Sequence, residues 1–221
     1  RYLDLLTALF ATVLLVSNVA STKLVVLGPF TFDGGTLLFP LAYIFGDVLT
    51  EVYGYRKSRR VIWIGFFALL LATLTFQAVA HLPAPPDAES QRFGEAFGLL
   101  LGLTPRIVLG SLLAYFLGEF ANAYVLAKLK VRTEGRFFWL RALASTLVGQ
   151  GLDTGVFLLV AFYGVFPKEV LLAVFLSNYA FKLGVEALML PFTYAVVGFL
   201  KRAEGMDAYD RDTDFNPFRL T

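Results

Sequence analysis

Cysteine is absent from the 221 residues, and histidine occurs once, as His81. Such a chain cannot build a disulfide framework, a thiolate nucleophile or a Cys-ligated metal site. A His-rich metal centre or Ser-His catalysis has too few imidazoles to form, and no cofactor is expected. Charge is also scarce: Asp, Glu, Lys and Arg make up 16% of the residues, against about 25% in soluble domains. The net charge of +2 is too small for direct nucleic-acid binding. Neither a P-loop nor an H-E-x-x-H motif occurs, which removes ATP hydrolysis by this chain and zincin chemistry.

What the chain does contain is apolar. Hydrophobic residues reach 57%, and 23 Phe with 10 Tyr exclude disorder. Apolar stretches of about twenty residues, the length that crosses a bilayer as a helix, recur along the whole chain. The expectation is an all-α membrane protein, a bundle of six transmembrane helices at 2–27, 35–53, 61–80, 105–126, 140–163 and 170–200. The first stretch is too long for a cleaved signal peptide, and Arg1 in place of a start methionine points to a trimmed N-terminus. The third, with Gln77 as its one strongly polar member, is expected to face lipid or to scaffold the rest.

Basic residues orient the bundle. Arg56, Lys57, Arg59 and Arg60 follow the second span, Lys128, Lys130, Arg132 and Arg136 the fourth, and Lys201 and Arg202 the sixth, with Arg141 just inside the fifth. The opposite side holds Arg92, Arg106 and Lys168. Both termini are therefore expected in the cytoplasm. Residues 1–202 are expected to form one six-helix transmembrane domain, and 203–221 an acidic cytoplasmic tail, soluble and partly disordered. Residues 81–104 form an external segment whose 93–103 stretch suits an interfacial helix.

Against this background the polar residues inside the spans stand out. A charge at a helix centre costs roughly 2.5–3.5 kcal/mol. Asp47, Glu51, Glu119, Asp153 and Glu186, unpaired and ionised, would cost about 12–17 kcal/mol together, as much as an ordinary fold is stable. They must be paired, protonated or in contact with water. Tyr43, Asp47 and Glu51 are spaced i, i+4, i+8, as are Asn178, Lys182 and Glu186, whereas Glu119/Asn122 and Gln150/Asp153 are i, i+3 pairs. With Asn18, these stripes point to one shared interior site near the midplane. Gluing helices together does not need five acids against two lysines. Lys23 is expected to snorkel to the interface, Glu51 lies near Arg56 and Lys57, and His81 belongs to a loop.

Gly34-Gly35 opens the second span. Pro40 is expected to interrupt it and Pro191 the sixth, freeing the carbonyls of Thr36 and Ala187 to line a cavity. A-Y-I-F-G-D at 42–47 echoes A-Y-F-L-G-E at 114–119, as in a parallel repeat of a helical hairpin.

A lining of carboxylates, amides and aromatic rings suits a flat heterocycle. A carboxylate accepts two parallel bonds from a guanine-like edge, amides read a carbonyl or ring nitrogen, and rings stack on the plane. The same lining also admits an amino acid or a vitamin. The residues thus point to a small-molecule carrier and not an enzyme, embedded in membrane lipid and free to form a homo-oligomer. Two other readings are a substrate-binding subunit driven by a separate ATPase module, and an intramembrane enzyme using Asp47 and Asp153.

Four stretches resemble the vitamin-uptake-transporter-like family: S-N at 17–18, F-P-L-A-Y-I-F-G-D-V-L-T-E-V-Y-G at 39–54, S-T-L-V-G-Q-G-L-D-T at 145–154 and N-Y-A-F-K at 178–182. F-N-P-F at 215–218 also looks familial. The resemblance implies uptake of queuosine precursors, 7-cyano-7-deazaguanine and 7-aminomethyl-7-deazaguanine. Its matching polar positions are Asn18, Asp47, Glu51, Gln150, Asp153, Asn178 and Lys182. In the expected cycle the base enters from outside and is clamped by Asp47 and Asp153. Gln150 and Asn178 read its edge, Lys182 balances the acids, and the bundle rocks inward.

Overall fold

The computed structural model describes residues 2–27, 30–102 and 105–219, apart from the side chains at 24, 27, 30–33, 36, 39, 40 and 43. Helix accounts for 80% of the molecule. The helices are α1 (Leu3–Ala20), α2 (Phe39–Tyr53), α3 (Tyr55–Ala80), α4 (Ala88–Leu101), α5 (Pro105–Arg132), α6 (Phe138–Phe162) and α7 (Lys168–Glu204). Five of them, α1, α3, α5, α6 and α7, are long and apolar enough to cross a membrane.

The expected first span is too long. α1 stops at Ala20, and the chain turns into an antiparallel hairpin of β1 (Leu24–Leu27) and β2 (Phe30–Asp33), paired from Leu24 with Asp33 to Leu27 with Phe30. Val25 and Val26 favour extended backbone, and Gly-Pro is a turn dipeptide; Gly28 and Pro29 themselves lie outside the described residues. A 3-10 helix (Gly34–Leu38) then leads into α2. Pro40 does not interrupt α2 but sits in its first turn, where the missing N–H has no intrahelical partner to lose. At 15 residues α2 is about 22 Å long, shorter than a hydrocarbon core of about 30 Å.

Gly54 alone separates α2 from α3, and its φ of 82° supplies the left-handed turn. α5 and α6 make the most extensive helix pair. Added Cβ atoms show why: one on Gly118 would meet the Asp153 Cβ at 2.8 Å, and one on Gly149 the Asn122 Cβ at 2.8 Å. The backbones approach so closely that no side chain fits between them. α2 packs on α5, α7, α3 and α1, and α7 leans on α2 and α6. Pro191, expected to interrupt the sixth span, lies inside α7, which runs on through it from Lys168 to Glu204.

α4 realises the helix expected at 93–103, starting earlier; Leu103 lies outside the described residues. Asp87 caps it by accepting a 2.9 Å bond from the Ser90 N–H, which holds the Asp87 carboxyl below its ordinary value. None of its side chains is buried.

The expectation of a partly disordered tail is overturned. Residues 206–219 run back over the ends of α2, α3 and α5 as a strap. Asp210 accepts a 2.9 Å bond from the Tyr55 N–H, and Ala208 N–H donates to the Val52 carbonyl. Arg59 donates to the carbonyls of Asp214 and Asn216, Tyr55 Oη to that of Phe215, and Trp63 Nε1 to that of Pro217. The F-N-P-F sequence is the middle of this strap. Asn216 turns it by accepting from the Phe218 N–H, Phe215 packs on Tyr55 with ring centroids 4.8 Å apart, and Phe218 packs on Trp63 and Phe116. Three aromatic or basic side chains of α3, Tyr55, Arg59 and Trp63, thus hold 14 residues of acidic tail that composition alone leaves unattached.

The apolar core is gathered toward the strap. Val48, Leu49, Val52, Val61, Ile62, Leu126, Ala127, Ala142, Val197 and Leu200 pack there. The opposite half, beside the hairpin, is more open.

Candidate functional site

Of the eleven polar residues expected at one site, ten are distributed over three levels, and the side chain of the eleventh, Tyr43, is not described. The first borders a cavity of about 380 Å³ in the hairpin half, enclosed by α1, α5, α6 and α7. Asn18, Asp153, Asn178 and Lys182 line it. Lys182 Nζ donates to Asp153 Oδ2 at 3.0 Å, Gln150 Oε1 at 3.1 Å and Thr154 Oγ1 at 3.3 Å, so Gln150 joins this level through the lysine. The Asp153 side chain keeps 30% of its surface accessible while paired. It therefore retains acceptor capacity for a second partner. Phe157, Phe162 and Phe181 supply aromatic surface.

Sequence reasoning missed Ser17, Ser21, Ser111, Tyr115 and Thr154, which also line the cavity. Small hydroxyl residues are common in membrane helices, where they bond their own backbone, and so carry little signal. Tyr115 pins α5 to α3 by donating to the Ile62 carbonyl at 2.9 Å.

The second level is acidic and buried. Asp47 is 2% exposed and Glu186 4%. Asn122 Nδ2 donates to Asp47 Oδ1 at 3.4 Å. Glu119 and Asn122 border a void of about 10 Å³ together with Thr50 and Ser58, about the room one water needs. Gly46, beside Asp47, lies against these side chains, so both acids of the A-Y-x-x-G-acid echo face one neighbourhood. Asp47 does not line the large cavity and does not oppose Asp153 across it. α2 is short and starts late, which sets Asp47 toward the strap. The Asn178, Lys182, Glu186 stripe is about 12 Å long, so it begins at the cavity and ends among the buried acids.

Glu51 occupies the third level and is 1% exposed. It pairs with neither Arg56 nor Lys57. Arg141 grips it with both terminal nitrogens, Lys201 Nζ reaches its Oε1 at 2.7 Å, and Lys130 lies 3.5 Å from the same oxygen. Lys130 and Lys201 both also bind Asp207 of the strap. The network joins α2, α5, α6, α7 and the tail. Arg141 further donates to the carbonyls of Gly135 and Arg136, closing the α5–α6 connection. Three residues read from sequence as orienting charges, Arg141 and Lys130 fully buried and Lys201 partly so, are thus partners of one acid. Burial of the Asp207 carboxyl raises its pKa, but hydrogen bonds and charge from the two lysines outweigh this and hold it below 3.8. The side chain of Tyr43 lies outside the described residues.

Among the described residues no group of three or more His, Asp or Glu side chains is arranged to hold a metal ion. The cavity offers a neutral ion pair, amides and hydroxyls between aromatic faces. Such a lining can hydrogen-bond a polar solute and stack on a planar one.

Residues 33–196 match the family described as "Putative vitamin uptake transporter". A probable queuosine precursor transporter of Bacillus subtilis (strain 168) is 36% identical over 188 residues, 84% of this chain and 80% of that protein. The queuosine precursor transporter of Escherichia coli (strain K12) is 27% identical over 168 residues, 74% of this chain and 71% of its own. A probable queuosine precursor transporter of Haemophilus influenzae is 26% identical over 166 residues, 74% of this chain and 67% of its own. No solved structure matches the chain.

Proposed function

The chain belongs to the vitamin uptake transporter family, and from that premise we propose that it imports queuosine precursors, 7-cyano-7-deazaguanine and 7-aminomethyl-7-deazaguanine, by alternating access. As the family and its five long apolar helices establish, it is a multi-pass integral membrane transporter and not an enzyme.

The observation that carries the substrate reading is the Lys182–Asp153 pair at the rim of the cavity. Its volume of about 380 Å³ falls in the range of small-molecule sites, roughly 300–1,000 Å³. The accessible carboxylate face of Asp153 suits the N–H and amino group of a deazaguanine edge. Asn18 and Asn178 read its remaining polar atoms, Gln150 holds Lys182 in place, and the phenylalanines stack on the ring. Asp47, Glu119 and Asn122 act beneath this layer, and Glu51 keeps the strap half closed.

The same geometry suggests the sidedness. α2 with its preceding 3-10 helix completes a sixth span, the hairpin half faces outside, and the strap lies in the cytoplasm with both termini. The transport domain then covers 1–202, with 203–221 as its cytoplasmic tail. An open cavity on one side of a packed core is the outward-facing arm of an alternating-access cycle. Exposed Leu71, Leu99 and Leu188 face lipid.

The test is uptake of labelled 7-cyano-7-deazaguanine by the purified chain in proteoliposomes, and by cells lacking precursor synthesis. Wild type takes up the base without an ATPase module, and Asp153→Asn, expressed at the same level, loses at least tenfold in uptake. Wild-type accumulation in that variant would refute the assignment.

A further inference from the structure

Glu186 is 4% exposed, and neither of its carboxylate oxygens has a hydrogen-bond partner. It points at Asp47, 2% exposed, which accepts a long 3.4 Å bond from Asn122 Nδ2. The two carboxylates, on α7 and α2, are close enough to interact electrostatically, with Thr146 of α6 beside Glu186. The charged groups around them are committed elsewhere. On α7, Lys182 binds Asp153 and Lys201 binds Glu51; on α6, Arg141 binds Glu51. On α5 the facing groups are Glu119 and Asn122, which bring no positive charge, and on α2 the next acid is Glu51.

We propose that Asp47 and Glu186 form a shared-proton site that couples transport to inward proton movement. Two adjacent carboxylates in a dry interior without a cation cannot both be charged, so one proton is held between them. Lys182 lies one turn from Glu186 on the same face of α7. With the proton bound, Lys182 turns to Asp153 and completes the substrate rim, the arrangement seen here. When the proton leaves toward the strap side, Lys182 swings back and replaces its positive charge, returning the pair to the net charge of −1 it had with the proton bound, and the rim dissolves. The proton enters from the hairpin side onto a carboxylate oxygen and leaves from it to the opposite side. No other bond changes. The proposal rests on the transport reading above.

Two measurements test it. In infrared spectra of the purified protein, a protonated carboxyl band persists at pH values where ordinary carboxylates are ionised, and is lost in Glu186→Gln and in Asp47→Asn. Its absence from wild type would overturn the site whatever the substrate is. In proteoliposomes, an inward gradient of one pH unit drives up to about tenfold accumulation of a neutral base, and a protonophore abolishes it. Glu186→Gln keeps exchange of labelled for unlabelled base but loses accumulation. Accumulation driven by sodium, or persisting in Glu186→Gln, would overturn the coupling. Failure of wild type to exchange labelled deazaguanine would instead refute the substrate reading, leaving the infrared band to decide the proton site.

Discussion

The carboxylate of Asp210 caps the backbone N–H of Tyr55, a residue 155 positions earlier in the chain. α3 begins directly after Gly54 and has no capping side chain of its own. The strap supplies one, placing a negative charge on the positive end of a 26-residue helix.

Asp210→Ala should therefore cost about 0.5–2 kcal/mol, the usual loss for an N-cap. Thermal unfolding in detergent should show a lower midpoint, with Asp210→Asn closer to wild type. An unchanged midpoint in both would mean that the cap contributes nothing.

Glu51→Gln leaves Arg141 buried and without its charge partner. Breaking one partner of a buried ion pair typically costs about 3–5 kcal/mol, so expression or monodispersity in detergent should collapse. Pairing that change with Arg141→Met should recover much of the loss. If the single variant is as stable as the double, the network is not holding the helices.

Gly118→Leu should separate α5 from α6, because even a Cβ would fall 3.0 Å from the Gly149 carbonyl. Overpacking of this kind costs about 1–3 kcal/mol. It also displaces Asp153, so uptake should fall more than expression does. Gly184→Ala, whose added carbon meets nothing within 4 Å, is the matched control.

Docking of the strap should weaken in acid. Lys130 and Lys201 hold the Asp207 carboxyl below its ordinary value against the effect of its burial, and the Arg219 hydrogen bond holds Asp214 below its own. Both depressions favour the docked form above the ordinary carboxylate value of 3.8, and the benefit is lost as pH falls through the docked values. Trp63, bonded to the Pro217 carbonyl, reports this by fluorescence in a Trp139→Phe background. Loss of docking should lie below about pH 4 and flatten in Asp207→Asn. A transition near neutral pH would contradict the assignment.

Much of the helical frame was legible because long apolar runs leave few alternatives. Residues 24–27 were misread for a physical reason: Leu24-Val25-Val26-Leu27 is as apolar as a membrane helix, and hydropathy does not distinguish strand from helix. Of the site, Asp153, Lys182 and Asn178 emerged from their spacing. The division into three levels did not, because i, i+4 periodicity gives the face of a helix but not its height against a neighbour. Arg141, Lys130 and Lys201 read only as orienting charges because their pairing depends on Glu51 and Asp207, which are distant in sequence. The strap was invisible for a similar reason, since an acidic, polar segment signals attachment through its basic and aromatic partners on α3.

The strap also imposes an order of assembly. Asp207 is made 77 residues after Lys130. At synthesis rates of about 5–20 residues per second, Lys130 waits roughly 4–15 s for that partner. During this interval α2, α3 and α5 are already threaded, but their shared end stays open and unevenly charged. Arrival of the strap thus closes that end. A copy interrupted before residue 207 leaves Lys130 and Lys201 without this acid and the end basic.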